Sequence, residues 1–260
     1  MNILDTIVAH KILEVQSAKL STSVSKLEKS KYFHRNCISL RQSLLLHKCG
    51  IIAEFKRKSP SKGVINAFLS AHEVTTGYAK AGAKGLSILT DNHFFGGKND
   101  DIEQNRDAVH IPILRKEFII DEYQIIEAKA MGADVILLIA ACLSSSQTVS
   151  LAKFVSQMGM ETLLEVHNEE EYNAYMNPYI HMVGVNNRNL KNFEVNIETS
   201  LRLADVIDKN VVKIAESGLN SADEIKTLIQ AGFKGFLIGE SFMKTKSPAE
   251  ACKNLINEIS

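Results

Sequence analysis

The chain has 260 residues, 45% of them hydrophobic and 23% charged, with 30 basic side chains balancing 30 acidic ones. That composition fits a globular protein with one large core or two small ones, and a formal net charge of +0 gives no overall reason to seek nucleic acid or an anionic membrane. The cysteines (Cys37, Cys49, Cys142, Cys252) form no CxxC pair and no metal-ligand spacing, which points to reduced, structural thiols.

The N-terminal segment carries Asp5, His10, Lys11 and Glu14 among its apolar residues, so it does not read as a signal peptide, and no segment approaches the roughly 20 apolar residues of a membrane span. A soluble, cytoplasmic protein is expected. Ile3, Leu4, Ile7, Val8, Ile12 and Val15 recur at helical spacing, and Leu40, Leu44 and Leu45 form a second apolar patch. Residues 1–49 are therefore expected to form an N-terminal helical extension packed on the rest of the chain.

From residue 50 onward one pattern repeats. Short apolar runs predict strands at Ile51–Lys56, Leu86–Thr90, Ile111–Arg115, Val135–Ala140, Thr162–Val166, Met182–Asn186, Val211–Ala215 and Gly235–Gly239. Gly82, Gly132, Gly159 and Gly232 precede four of them, as a helix C-cap leading into a strand requires. Ser70/Glu73, Asp121/Gln124, Ser144/Gln147, Asn168/Glu171 and Ser221/Glu224 have the spacing of helix N-caps with an acid or amide three residues on. Alternating strands and helices imply a parallel sheet, and about eight such units fit an α/β fold, a (β/α)8 TIM barrel over residues 50–260. An open doubly wound sheet is the alternative; against it, the first strand leads to Ser59-Pro60 in place of a GxGxxG turn, and no GxxxxGK[ST] occurs.

Such barrels build their active sites at the C-terminal ends of the strands. Glu54 and Lys56 stand two residues apart at the end of the first strand, on one face, and oppositely charged groups at the end of a buried strand are costly unless something pairs or uses them. The other ends offer Thr90-Asp91, Arg115-Lys116-Glu117, Glu165, Asn186 with Arg188, Glu216-Ser217-Gly218 and Gly239-Glu240. A ring of lysines, an arginine, an asparagine and carboxylates favours a pocket for an anionic substrate. The last two loops, with Gly218 and Gly239 beside helix starts, have the character of a phosphate site. Phe94-Phe95-Gly96-Gly97 reads as a mobile loop whose aromatic side chains either lie over an aromatic substrate or simply pack on the rim. The basic cluster Lys56-Arg57-Lys58 with Lys62 joins no wider basic surface, and His167, two residues beyond Glu165, reads as a bystander.

The motifs AEFKRKSPSKG (53–63), LSILTD (86–91), ILRKEFIID (113–121), LLEVH (163–167), VGVNNRNL (183–190), IAESG (214–218) and FLIGESFM (236–243) together resemble those of the indole-3-glycerol phosphate synthases. The resemblance spans essentially the whole chain, and its first motif is the most specific. It implies ring closure, decarboxylation and dehydration of 1-(2-carboxyphenylamino)-1-deoxyribulose 5-phosphate, without cofactor or metal. It further implies Lys116 as the acid, a role that suits a lysine if burial or neighbouring cations lower its pKa, and Glu165 as the base of the dehydration. Lys56 would hold the substrate's anionic groups, Glu54 would pair with the lysines, and Asn186 would orient the reacting hydroxyl. Ser59 and Arg188 would position the substrate, Phe95 and Phe118 would flank its aromatic ring, and Ser217, Gly218, Gly239 and Glu240 would bind phosphate. Glu240 stands where many of the family carry serine, which preserves a backbone contact and removes a hydroxyl. A monomer with a small anionic substrate, and no nucleic-acid or membrane partner, is the expectation.

Overall fold

The computed structural model describes residues 3–189 and 194–259. Eight parallel strands close into a barrel: β1 Gly50–Phe55, β2 Gly85–Leu89, β3 Ile113–Lys116, β4 Val135–Ile139, β5 Glu161–Val166, β6 Met182–Asn186, β7 Val212–Glu216 and β8 Gly235–Ile238. Each pairs with its sequence neighbours, and β1 pairs with both β2 and β8. This is the (β/α)8 architecture, and every strand expected from the sequence is present within two residues of its forecast start and end. A small antiparallel hairpin of Lys58–Ser59 and Gly63–Val64 follows β1.

The local signals are used as their chemistry requires. All five expected N-caps accept a hydrogen bond from the backbone three residues on or, for Asp121, two; Asp121, Ser144 and Ser221 complete reciprocal boxes with Gln124, Gln147 and Glu224. Gly82, Gly132, Gly159 and Gly232 all take positive φ, from 68° to 99°.

Alternation along each strand separates two cores. Outward residues such as Ile51, Ala53 and Phe55 pack beneath the surrounding helices. Inward residues, among them Ile52, Leu114, Leu137, Leu163, Met182, Ile214 and Leu237, fill the barrel itself. Leu40 and Leu44, on the helix Leu40–Leu45, close the N-terminal end of that inner core, while Leu45 of the same apolar patch is turned to solvent. Moving two residues along, the inward series becomes polar: Ile52 gives way to Glu54, Leu114 to Lys116, Leu163 to Glu165, and Ile214 to Glu216. The site is the last inward layer of the barrel.

The first helix, Ile3–Ser21, buries Ile7, Lys11 and Val15, one stripe at helical spacing. The apolar half of that stripe follows from the sequence, but Ile12, expected on it, is 45% exposed. A lysine occupies its centre. No described helix is long and apolar enough to cross a membrane.

Candidate active site

A cavity of about 500 Å3 opens at the C-terminal mouth of the barrel. Every one of the thirteen expected site residues lines it: Glu54, Lys56, Ser59, Phe95, Lys116, Phe118, Glu165, Asn186, Arg188, Ser217, Gly218, Gly239 and Glu240. Leu190, the last residue of the VGVNNRNL motif, lies outside the described residues.

Lys116 is the centre. From the end of β3 its Nζ donates to Glu165 Oε2 at 2.7 Å and to Glu216 Oε2 at 2.8 Å, joining three strands across the barrel. A lysine suits an acid role if burial or neighbouring cations lower its pKa, and the surroundings of Lys116 act the other way. Burial alone would lower it, but Glu165, Glu216 and Glu54 outweigh burial and hold the ammonium well above its ordinary range. Lys116 is therefore charged at rest.

Its two carboxylate partners are driven apart. Burial would raise Glu165, yet Lys116 and the nearby His167 bring it down to about 2; Asn186 Nδ2 donates to its other oxygen at 2.9 Å. Glu216 has the same lysine, but burial dominates there and Glu165 repels its charge, pushing it up to about 7. Glu216 Oε1 has no hydrogen-bond partner among the described residues. Two carboxyls around one ammonium thus divide into a committed anion and a group that holds a proton near neutrality. Glu216 ends the strand run read as Glu216-Ser217-Gly218 but is not among the site residues expected from the sequence. The signal that could have found it lies in β6: a Cβ on Gly184 would fall 2.0 Å from Glu216 Oε1, so the glycine exists to admit that carboxylate.

Glu54 and Lys56 form the second pair. Nζ of Lys56 donates to Glu54 Oε1 at 2.8 Å, and Ser87, the register partner of Glu54 on β2, donates to Oε2 at 3.2 Å. Glu54 also fixes Gly239, where an added Cβ would come within 2.6 Å of its Oε1. On the opposite wall, Asn186 Oδ1 accepts the backbone N–H of Arg188, whose guanidinium reaches Glu240 at 3.3 Å. The loop after β7 carries backbone strain: Ser217 has φ 65°, alone among described non-glycine residues, and Gly218 follows at 71°.

Phe95 and Phe118 lie with ring centroids 6.0 Å apart and form one aromatic wall. The Phe94–Gly97 loop, expected to be mobile, is held by several bonds: Asp91 Oδ1 accepts from the N–H groups of Phe94 and Phe95, Lys58 donates to His93 O, and Arg57 donates to Gly96 O. His167 is no bystander electrostatically. Its Nε2 lies 3.7 Å from Glu165 and its Nδ1 3.1 Å from Glu171; burial would lower it, and these carboxylates raise it instead. Among the described residues, no group of three or more His, Cys, Asp or Glu side chains is placed to hold a metal ion.

A family model described as indole-3-glycerol phosphate synthase matches residues 4–255. The chain belongs to the indole-3-glycerol phosphate synthase family. Proteins of that name from Bacteroides thetaiotaomicron, Carboxydothermus hydrogenoformans and Chromobacterium violaceum are 45%, 42% and 41% identical to it. The alignments cover 99% of both chains for the first, 89% of both for the second, and 98% of this chain and 97% of the relative for the third. Among solved structures, one described as native KDPGal superposes with a TM-score of 0.58 at 13% identity, covering 82% of this chain and 93% of the other. A designed cube-shaped protein cage gives the same score and identity over 82% and 71% of the two chains. Those two likenesses concern the barrel fold alone, whereas the synthase family carries the chemistry.

Proposed function

We propose that this chain carries out the synthase family's reaction with the residues gathered at the barrel mouth. In that reaction, 1-(2-carboxyphenylamino)-1-deoxyribulose 5-phosphate closes its ring and loses carbon dioxide and water to give indole-3-glycerol phosphate. The observation that carries the assignment of roles is the Lys116 ammonium held between Glu165 and Glu216 inside a cavity lined by further cations.

Lys116, charged at rest, donates to the ketone oxygen as the aryl carbon attacks it, stabilising the alkoxide that develops. Protonation of that oxygen and its later departure as water need a proton source and a base. Glu165, held as an anion, is the base of the dehydration. Glu216, which holds a proton near neutrality, is placed to exchange it with Lys116. Lys56 binds the anionic groups of the substrate and donates a proton in the later step, while Glu54 holds Lys56 and hydrogen-bonds the reacting hydroxyl. Asn186 orients both Glu165 and Arg188. Ser59 and Arg188 position the substrate, and Phe95 and Phe118 offer an apolar wall to its aromatic ring. Ser217, Gly218, Gly239 and Glu240 receive the phosphate, chiefly through backbone groups.

The same reading takes the protein as a cytoplasmic monomer without a nucleic-acid or membrane partner, supported by its neutral charge balance. The chain contains no tryptophan, so indole fluorescence can be followed without background emission from that residue. Purified protein mixed with the substrate and no added metal is expected to give that signal; folded protein without signal would overturn the assignment.

A further inference from the structure

Lys11 belongs to the N-terminal helix, outside the barrel, and is only 1% exposed. Its Nζ meets three carboxylates: Asp91 Oδ2 at 2.9 Å, Glu117 Oε1 at 2.9 Å and Glu14 Oε2 at 3.0 Å. Asp91 and Glu117 are themselves buried, at the ends of β2 and β3, whereas Glu14 is 41% exposed on its side chain. The ammonium donates to both oxygens of Glu14, at 3.1 and 3.0 Å, and meets Asp91 and Glu117 as ion pairs.

The two buried carboxylates face the cavity wall with the rest of their hydrogen-bonding capacity. Asp91 Oδ1 accepts from the N–H groups of Phe94 and Phe95 at 2.7 and 3.2 Å. Glu117, the neighbour of Lys116, accepts the N–H of Phe118 at 2.8 Å on the oxygen that also meets Lys11, and the Thr90 hydroxyl at 2.8 Å on the other. Phe95 and Phe118 are the two rings of the aromatic wall. The helix also places Ile3, Leu4 and Ile7 in the lining of the same cavity.

We propose that Lys11 is a positioning residue for the synthase reaction, its ammonium holding Asp91 and Glu117 so that their carboxylates fix the backbone of Phe95 and Phe118. Without that charge, two buried carboxylates face each other uncompensated, and they relieve the repulsion by moving or by taking up water. Either response releases the three phenylalanine N–H groups and displaces both rings. The N-terminal helix is then a working wall of the site as well as a cover on the barrel. This inference rests on the assigned reaction for its kinetic test and is independent of it for its structural one.

The structural test is amide hydrogen exchange on Lys11→Met against the natural chain. Exchange at Phe94, Phe95 and Phe118 should accelerate by about tenfold or more while the strand amides of β4 to β6 keep their rates. Unchanged exchange at those three amides overturns the proposal whether or not the chain turns over substrate. In the kinetic test, Lys11→Met should lower kcat/KM by about tenfold or more, with KM raised, well below the unfolding temperature. Adding Glu117→Gln removes one uncompensated charge and should recover part of the loss. A variant with a lowered melting temperature but natural KM and kcat assigns Lys11 to stability alone and sinks the proposal. Should Lys11→Met fail to fold, Lys11→Gln replaces it: the amide keeps N–H donors among the carboxylates but the charge is gone. A natural exchange pattern in that variant is equally fatal.

Discussion

At the N-terminal end of the barrel, Asp134 is fully buried and its carboxylate is saturated. One oxygen accepts from Arg35 and the N–H of Ile38, the other from Arg106 and the N–H of Ile113, all between 2.7 and 2.8 Å. At the C-terminal end, Glu216 is almost as deeply buried, shares its one cation with Glu165, and leaves an oxygen without a partner among the described residues. Both ends set buried carboxylates against cations. Where every lone pair is matched, the ion cluster locks the arginines, the segment before β1 and β3 together; where carboxylates outnumber their cation, one is driven to hold a proton. Saturation makes a structural joint, and its absence leaves groups able to exchange protons and receive a substrate.

Breaking the unsaturated end should cost activity before stability. Lys116→Ala is expected to lower kcat by about 10³-fold, the middle of the range for losing a positioned acid, read by the fluorescence assay. A rate near natural would remove Lys116 from the centre of the reaction. Breaking the saturated end should do the reverse. Asp134→Asn puts an amide where two arginines converge and is expected to cost about 3–5 kcal/mol in urea unfolding, with natural KM in the folded fraction. A change in KM matching that of a mouth variant would dissolve the contrast between the ends.

The pH dependence sharpens it. Glu216 is raised from 4.5 to about 7, so between those values the native state keeps a proton that the unfolded chain has released. Its contribution favours the fold below pH 4.5 and is lost as pH rises toward 7. Glu165, lowered from 4.5 to about 2, acts oppositely: it stabilises above 4.5, and that contribution is lost as pH falls toward 2. Unfolding midpoints measured from pH 4.5 to 7 should show the natural chain losing stability relative to Glu216→Gln, and parallel curves would contradict the protonated Glu216. The smallest effect belongs to the rim. Glu240 occupies Arg188 through a partly exposed 3.3 Å pair. Glu240→Gln should free the guanidinium for substrate and lower KM by about two- to fivefold, in keeping with the modest strength of such pairs.

Much of this was legible along the chain. The caps at Ser70, Asp121, Ser144, Asn168 and Ser221, and the glycines that end helices, are local devices whose chemistry acts within a few residues. The strands follow from apolar runs covered on both faces. The charged layer at their ends, from Glu54 through Lys116 and Glu165 to Asn186, follows from the rule that barrel sites lie there.

Other features required neighbours from distant parts of the chain. Lys11 reads as a solvated helix charge until Asp91 and Glu117, about 80 and 106 residues away, surround it. Lys116 reads as a lysine that burial could neutralise until carboxylates from β5 and β7 converge on it and keep it charged. Glu216 becomes distinct from Glu165 because the barrel gives both the same ammonium and gives Glu165 His167 and Asn186 besides. The sequence by itself determined which elements form, their order and the residue types that end each strand, because propensity, capping and alternation are short-range. Only the tertiary structure decided which of those ends share a charge, and so which hold protons, because electrostatic energies depend on distance and burial that closure of the barrel creates.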